Sequence, residues 1–140
     1  MSTSSDKPAT GPDSGVTPHL TVSDGPAAVA FYVEAFGAVE RFRQMAEDGV
    51  RIFHCFMGLN DGLLMLNDHF PEFGDSASEL KPAGVTIHLQ VPDADAAWKR
   101  ATDAGATVVV PLANQPWGLR YGVLRDPFGH KWSIGTRLRG

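Results

Sequence analysis

The sequence has little of what marks secreted, membrane-spanning or nucleic-acid-binding proteins. One cysteine in 140 residues excludes an internal disulfide and fits a reducing compartment. The chain has no run of eighteen apolar residues and no N-terminal signal pattern, so we expect no membrane partner. A net charge of −4, with acids and bases interspersed, argues against a nucleic-acid partner. We therefore expect a cytoplasmic location.

An internal repeat is the main feature that the sequence does contain. Residues 15–38 align with residues 84–107, so that His19 meets His88 and Asp24 meets Asp93 at a constant offset of 69 positions. Because the offset holds from a strand pattern into a helix pattern, we interpret it as two copies of one supersecondary unit. The prediction is a disordered tail over 1–15 and a single domain over 16–140. That domain consists of a module over 16–67, a linker over 68–83 and a module over 84–137.

Each module shows the pattern of a strand, a helix and three further strands. Residues 16–23 and 85–91 alternate apolar and polar side chains, which is typical of half-buried strands. Asp24 and Asp93 are predicted helix N-caps, and Gly37 and Gly105 are predicted to end the two helices. Short strand patterns and turn sequences follow, so the predicted fold class is α+β, with two tandem βαβββ modules. We expect their mixed sheet to curl into a cup with the helices outside.

A candidate binding site follows from the polar faces of the first strands. If helices cover the apolar face of each sheet, the opposite face meets water or a ligand. An aromatic and cationic group near the start of a later strand, together with one histidine in the third strand, adds candidates because such side chains stack on flat ligands or hold anions. The candidate ligand-binding residues are His19, Thr21, His54, Thr86, His88, Gln90, Trp117, Arg120 and Tyr121. The alternative is that Trp117 and Tyr121 close one end of the core and that Arg120 pairs with an aspartate.

Several short motifs accompany the repeated βαβββ pattern: V-x-D before each helix, A-G-A-T after the second helix and a late D-P-F-G-H. In this pattern and these motifs the chain resembles the vicinal oxygen chelate superfamily. The resemblance also includes the segment 115–122, which is similar to a bacterial glyoxalase-like and bleomycin-resistance-like subgroup. The superfamily includes glyoxalase I, extradiol dioxygenases and fosfomycin-resistance enzymes, so the resemblance predicts the fold better than the activity.

The resemblance also implies where a metal site would lie. In metal-using members, the first strand of each module provides one ligand, and the last strand of each module provides one carboxylate. This makes four ligand positions. Counting from the V-x-D motifs and the turn glycines places these positions at Thr17, Thr86, Leu66 and Ser133. Hydroxyl groups are poor ligands for a divalent transition ion and a leucine side chain is none, so we expect no metal cofactor. One divalent ion held by His19 and His88 is the alternative.

Three functions remain open at this point. The first is a metal-free small-molecule binder of the bleomycin-resistance type, with its ligand in the cup between modules or subunits. The second is a metal-dependent lyase, isomerase or dioxygenase that uses His19 and His88. The third is a metal-free enzyme with one of these histidines as general base. No residue is predicted to be catalytic. By analogy with the superfamily we expect a homodimer.

Overall fold

The structure is a computed structural model that describes residues 9–73 and 82–139. Its described residues form two compact units, the first from 9–29 and 38–73 and the second from 30–37 and 82–139. Together they contain two α-helices and eight β-strands, so the predicted α+β class with a βαβββ pattern is confirmed. Residues 1–8 of the predicted tail and residues 74–81, half of the predicted linker, lie outside the described residues.

The first unit contains one four-stranded sheet with the order β1-β4-β3-β2. The elements are β1 (His19–Val22), α1 (Gly25–Phe36), β2 (Val39–Met45), β3 (Ile52–Leu59) and β4 (Gly62–Asp68), followed by a 3-10 helix, Pro71–Phe73. Strand β1 runs parallel to β4, and the other neighbouring pairs are antiparallel. Asn60 and Asp61 connect β3 to β4 with φ of 49° and 63°, the positive values that a tight hairpin turn requires.

The second unit repeats this order as β5-β8-β7-β6. Its elements are β5 (Thr86–Gln90), α2 (Ala94–Ala104), β6 (Thr107–Asn114), β7 (Leu119–Arg125) and β8 (Lys131–Arg137). Strand β5 runs parallel to β8, as β1 does to β4. The predicted helix ends are confirmed, because Asp93 accepts a hydrogen bond from the backbone N–H of Ala96 and Gly105 ends α2 in the left-handed conformation.

One face of the second sheet is covered by helical residues of the same unit. The Tyr32 and Phe36 rings of α1 contact the Trp132 ring of β8, at centroid distances of 5.3 and 4.5 Å. The six-membered ring of Trp98, on α2, lies against Gly122 of β7. Residues 30–37 of α1 thus group with the second sheet, whereas the sequence pattern assigned this helix to the first module. The opposite face of the sheet is therefore the one that carries His88, which alternates with the core residues.

Candidate functional site

The second unit brings five of the predicted site residues together on one face of its sheet. The register pairs His88 with Ser133, Gln90 with Gly135, and Gly135 with Tyr121, and paired residues of neighbouring strands point to the same side. The rings of His88 and Tyr121 are stacked, with centroids 5.9 Å apart and planes 25° apart. Trp117 contacts Tyr121 edge-on at 5.7 Å, and 61% of Trp117 is exposed. We call this surface the polar face, formed by Thr86, His88, Gln90, Trp117, Tyr121 and Ser133.

His88 is oriented by hydrogen bonds to both of its ring nitrogens. Nδ1 lies 2.8 Å from the Ser133 hydroxyl, and Nε2 lies 2.8 Å from Oε1 of Gln90. Because Oε1 can only accept, Nε2 carries the proton, and in the neutral ring the Ser133 hydroxyl donates to Nδ1. A ligand that displaces the Gln90 side chain therefore meets an N–H donor, which favours an acceptor atom on that ligand.

Gly135 leaves the space that these side chains occupy. A Cβ at this position would lie 3.0 Å from Cε1 of His88 and 3.5 Å from Oε1 of Gln90. The first distance is shorter than an ordinary contact between carbon atoms, so a side chain here would move the imidazole. Because Gly135 has no side chain, the imidazole of His88 and the amide of Gln90 have room to lie over it on the polar face.

Arg120 lies on the opposite, helix-facing side of the same sheet. Adjacent residues of a strand point to opposite faces, so Arg120 and Tyr121 do not share one. The Arg120 guanidinium donates to the Asp95 carboxylate at 3.0 to 3.1 Å and to Oδ1 of Asn114 at 3.0 Å. Its position matches the alternative in which it pairs with an aspartate.

The first unit presents the corresponding histidine in a different setting. Nδ2 of Asn67 donates to the Asp68 carbonyl at 2.7 Å, which turns Oδ1 of Asn67 towards Nε2 of His19, 2.6 Å away. His19 therefore donates from Nε2, and in its neutral form Nδ1 carries the lone pair. Thr21 pairs with Asn67 along the sheet, and Nε2 of His54 lies 2.6 Å from the Thr10 carbonyl. Sequence reasoning missed Asn67 and the role of Ser133, because only strand pairing brings them beside the histidines.

The carboxylate position of the superfamily metal site, which counting along the sequence placed at Leu66, requires a correction. The register places Met65 opposite His19, in the way that Ser133 lies opposite His88, whereas Leu66 is fully buried and pairs with Leu20. Counting from the turn glycines failed because Gly62 already belongs to β4, whereas β8 begins two residues after Gly129. A thioether and a hydroxyl are not the carboxylates that the metal site needs, so this donor set does not fit the superfamily ion. Within the described ranges, no three histidine, cysteine, aspartate or glutamate side chains are grouped to hold a metal.

A separate cavity lies in the first unit. It measures about 590 Å³, and its lining includes Met45, Asp48, Arg51, Phe53, Phe70 and Glu72. Arg51 lies over the Phe70 ring at 4.3 Å and donates to the carboxylates of Asp48 and Glu72. The main polar groups of this cavity therefore satisfy one another.

Comparison with known proteins decides the family. The family model for the Glyoxalase/Bleomycin resistance protein/Dioxygenase superfamily matches residues 16–134. The chain belongs to this superfamily. The resemblance inferred from the sequence motifs is thereby confirmed.

Comparison with individual proteins shows how close the similarity is. The chain is 48% identical over 128 residues to an uncharacterised protein of Mycobacterium bovis, covering 89% of this chain and 84% of that protein. The crystal structure of TioX from Micromonospora sp. ML1 superposes with a TM-score of 0.70 at 31% identity, covering 89% of this chain and 99% of that one. A variant of the fosfomycin resistance protein FosX from Listeria monocytogenes, complexed with Mn(II) and a dihydroxypropylphosphonic acid, superposes with a TM-score of 0.65 at 19% identity. That alignment covers 89% of this chain and 93% of the FosX chain, and at this identity it shows the fold alone.

Among the described residues, no helix is long and apolar enough to cross a membrane.

Proposed function

We propose that the protein is a small-molecule-binding member of the superfamily and that the polar face of the second unit holds the ligand. The observation that supports this most strongly is the arrangement around His88. Its imidazole is hydrogen-bonded at both nitrogens and stacked on Tyr121, beside a largely exposed Trp117. An exposed indole next to oriented polar groups suits a flat ligand that stacks on the ring and exchanges hydrogen bonds with the histidine.

The remaining predicted residues enter the proposal in two groups. Thr86 precedes His88 on the same face by two residues, so its hydroxyl extends the polar surface. In the first unit, His19 and Thr21 form the corresponding polar edge, and His54 lies on the same side as His19 by register. We propose these as contacts for the ligand or for a second ligand, each within its own unit. Arg120 is outside the proposed contact set.

A screen by thermal shift tests the proposal. We expect flat aromatic compounds to raise the melting temperature in a concentration-dependent manner, because a ligand that binds only the folded state stabilises it by mass action. Trp117→Ala and His88→Ala should each remove most of the shift. Phe53→Ala is the matched control, since it removes another exposed ring, 51% exposed, from the other unit. If Phe53→Ala abolishes the shift and Trp117→Ala preserves it, the polar face is not the binding site.

The alternative of a metal-dependent enzyme makes a different prediction. It requires about one divalent ion per chain in untagged protein, lost in the His19→Ala/His88→Ala double variant. Both ring nitrogens of His88 are hydrogen-bonded and the expected carboxylate positions are Met65 and Ser133, so the residues present favour the binding function. Metal analysis by mass spectrometry after dialysis against zinc, nickel, iron and manganese distinguishes the two.

A further inference from the structure

Charged residues of the second unit are divided between the two faces of its sheet. The carboxylates among its described residues belong to Glu34, Asp93, Asp95, Asp103 and Asp126. Four of these positions are on helix α1, at the N-cap of α2 or within α2. The fifth, Asp126, is buried in the turn between β7 and β8. None of the carboxylates is on a strand of the polar face.

The basic residues, in contrast, lie on both sides of the sheet. Three of them pair with helix groups, namely Lys99 with Asp103, Arg100 with the carbonyls of Glu34 and Val33, and Arg120 with Asp95. The other strand cations lie on the His88 side of the sheet. The register pairs Lys131 with both Thr86 and Arg125, and Arg137 with Leu119.

The three cations on the His88 side have no acidic partner among the described residues. Arg125 donates to the Gly129 carbonyl at 2.9 Å, and neither Lys131 nor Arg137 forms an ion pair in the part of the chain that the structure describes. A local excess of one sign attracts the opposite sign whatever the net charge of the chain, and that net charge is −4 here. The side of the sheet that carries the polar face is therefore cationic, although the whole chain has a net negative charge.

Arg137 lies at the aromatic end of the polar face. It is two residues beyond Gly135, which pairs with Tyr121, so the two Cα positions of β8 are separated by about 7 Å. The neighbouring residue, Leu138, donates its backbone N–H to the Gly118 carbonyl at 2.8 Å, next to Trp117. A ring stacked on Trp117 or Tyr121 thus has an exposed guanidinium within reach of a substituent.

The hydrogen-bonding character of the surface agrees with its charge. Arg137 and Lys131 are donors only, and Nε2 of His88 is a donor in the observed arrangement. From these observations together we infer that the ligand is an aromatic anion, with its ring on Trp117 and Tyr121 and its carboxylate or equivalent acid group on Arg137. This inference rests on the proposed function and names the class of its ligand.

Three probes with one ring system and different charge test the inference. We use 2-naphthoate, neutral 2-naphthamide and 2-naphthylmethylammonium, and measure each dissociation constant by quenching of tryptophan fluorescence and by calorimetry. The expected order of affinity is naphthoate, then amide, then ammonium, with naphthoate about three- to tenfold tighter than the amide. Raising the salt concentration from about 0.05 M to about 0.5 M should weaken naphthoate and leave the amide nearly unchanged.

Variants with one charge removed show which side chains produce the preference for naphthoate over the amide. Arg137→Gln should reduce the naphthoate-to-amide preference towards one, and Lys131→Gln should reduce it less. Lys99→Gln removes one charge from α2 in the same unit and should leave the preference unchanged; all three variants are checked by melting temperature. Equal binding of the three probes or tightest binding of the ammonium would overturn the anionic class alone. A preference that survives in both Arg137→Gln and Lys131→Gln would overturn the placement of the acid group on these cations. Absence of binding by all three, or binding independent of Trp117, would overturn the proposed function as well.

Discussion

At the scale of single residues, Ser133 is the side chain that orients the candidate binding histidine. It is almost fully buried, and its hydroxyl bonds Nδ1 of His88. Ser133→Ala should leave the fold intact at a cost of about 1 kcal/mol in the free energy of unfolding, but it frees one side of the imidazole. We expect the ¹⁵N chemical shifts of the His88 ring to move, chiefly that of Nδ1, because Nδ1 loses its hydrogen-bond donor while Oε1 of Gln90 keeps the proton on Nε2. Thr102→Ala, which removes a hydroxyl bonded to the Trp98 carbonyl in α2, is the control and should leave them in place.

Cys55 gives a second prediction at this scale. Burial, followed by the nearby Glu40 carboxylate, raises the pKa of the thiol from 9.0 to about 12. A pKa raised in the folded state adds stability that is fully present below pH 9 and is lost as the pH rises from 9 towards 12. The stability difference between the natural protein and Cys55→Ala should therefore fall by about 1 kcal/mol between pH 8 and pH 10 in urea unfolding experiments. A difference that stays constant over this range would contradict it.

At the scale of elements, the turn between β7 and β8 is held by one buried carboxylate. Oδ1 of Asp126 accepts the backbone N–H groups of Phe128 and His130, and Oδ2 accepts the Tyr32 hydroxyl at 2.6 Å and Nε1 of Trp132 at 2.9 Å. This single side chain thus links the turn to helix α1 and to strand β8. Burial and the Asp126 charge raise the pKa of Tyr32, so its hydroxyl remains a donor at any ordinary pH.

Replacing that carboxylate should destabilise the second unit. Asp126→Asn presents an amide N–H₂ group to donors, so we expect a loss of about 2 to 4 kcal/mol in the free energy of unfolding. Tyr32→Phe removes one of the four donors and should cost about half as much. Urea unfolding followed by tryptophan fluorescence measures both, and a change below about 0.5 kcal/mol for Asp126→Asn would contradict this role.

The elements were predictable from the sequence where their signals are local. Helix α2 begins after Asp93 and ends at Gly105, and both ends were predictable because a cap depends only on neighbouring residues. The hairpin at Asn60-Asp61 was predictable because these residues themselves favour the turn conformation. The pairing of strands is non-local, so Asn67 beside His19 was invisible. The opposite placement of Arg120 and Tyr121, in contrast, follows from strand alternation once β7 is recognised.

At the scale of the whole molecule, the homodimer expected from the superfamily remains a prediction. On β6, one of the two edge strands of the second sheet, Val108, Val109 and Val110 are 41 to 45% exposed, and a second copy could cover these apolar side chains. Light scattering coupled to gel filtration should give twice the 15.0 kDa of one chain. A monomer mass at micromolar concentration would contradict the dimer and leave the binding proposal for the second unit untouched.

The location of the binding site is tested most directly by mapping backbone and side-chain NMR shifts during titration with 2-naphthoate. The binding proposal predicts that the largest changes fall on Thr86, His88, Gln90, Tyr121 and the indole of Trp117. Changes centred instead on Arg51, Phe53 and Phe70, around the cavity of the first unit, would contradict it.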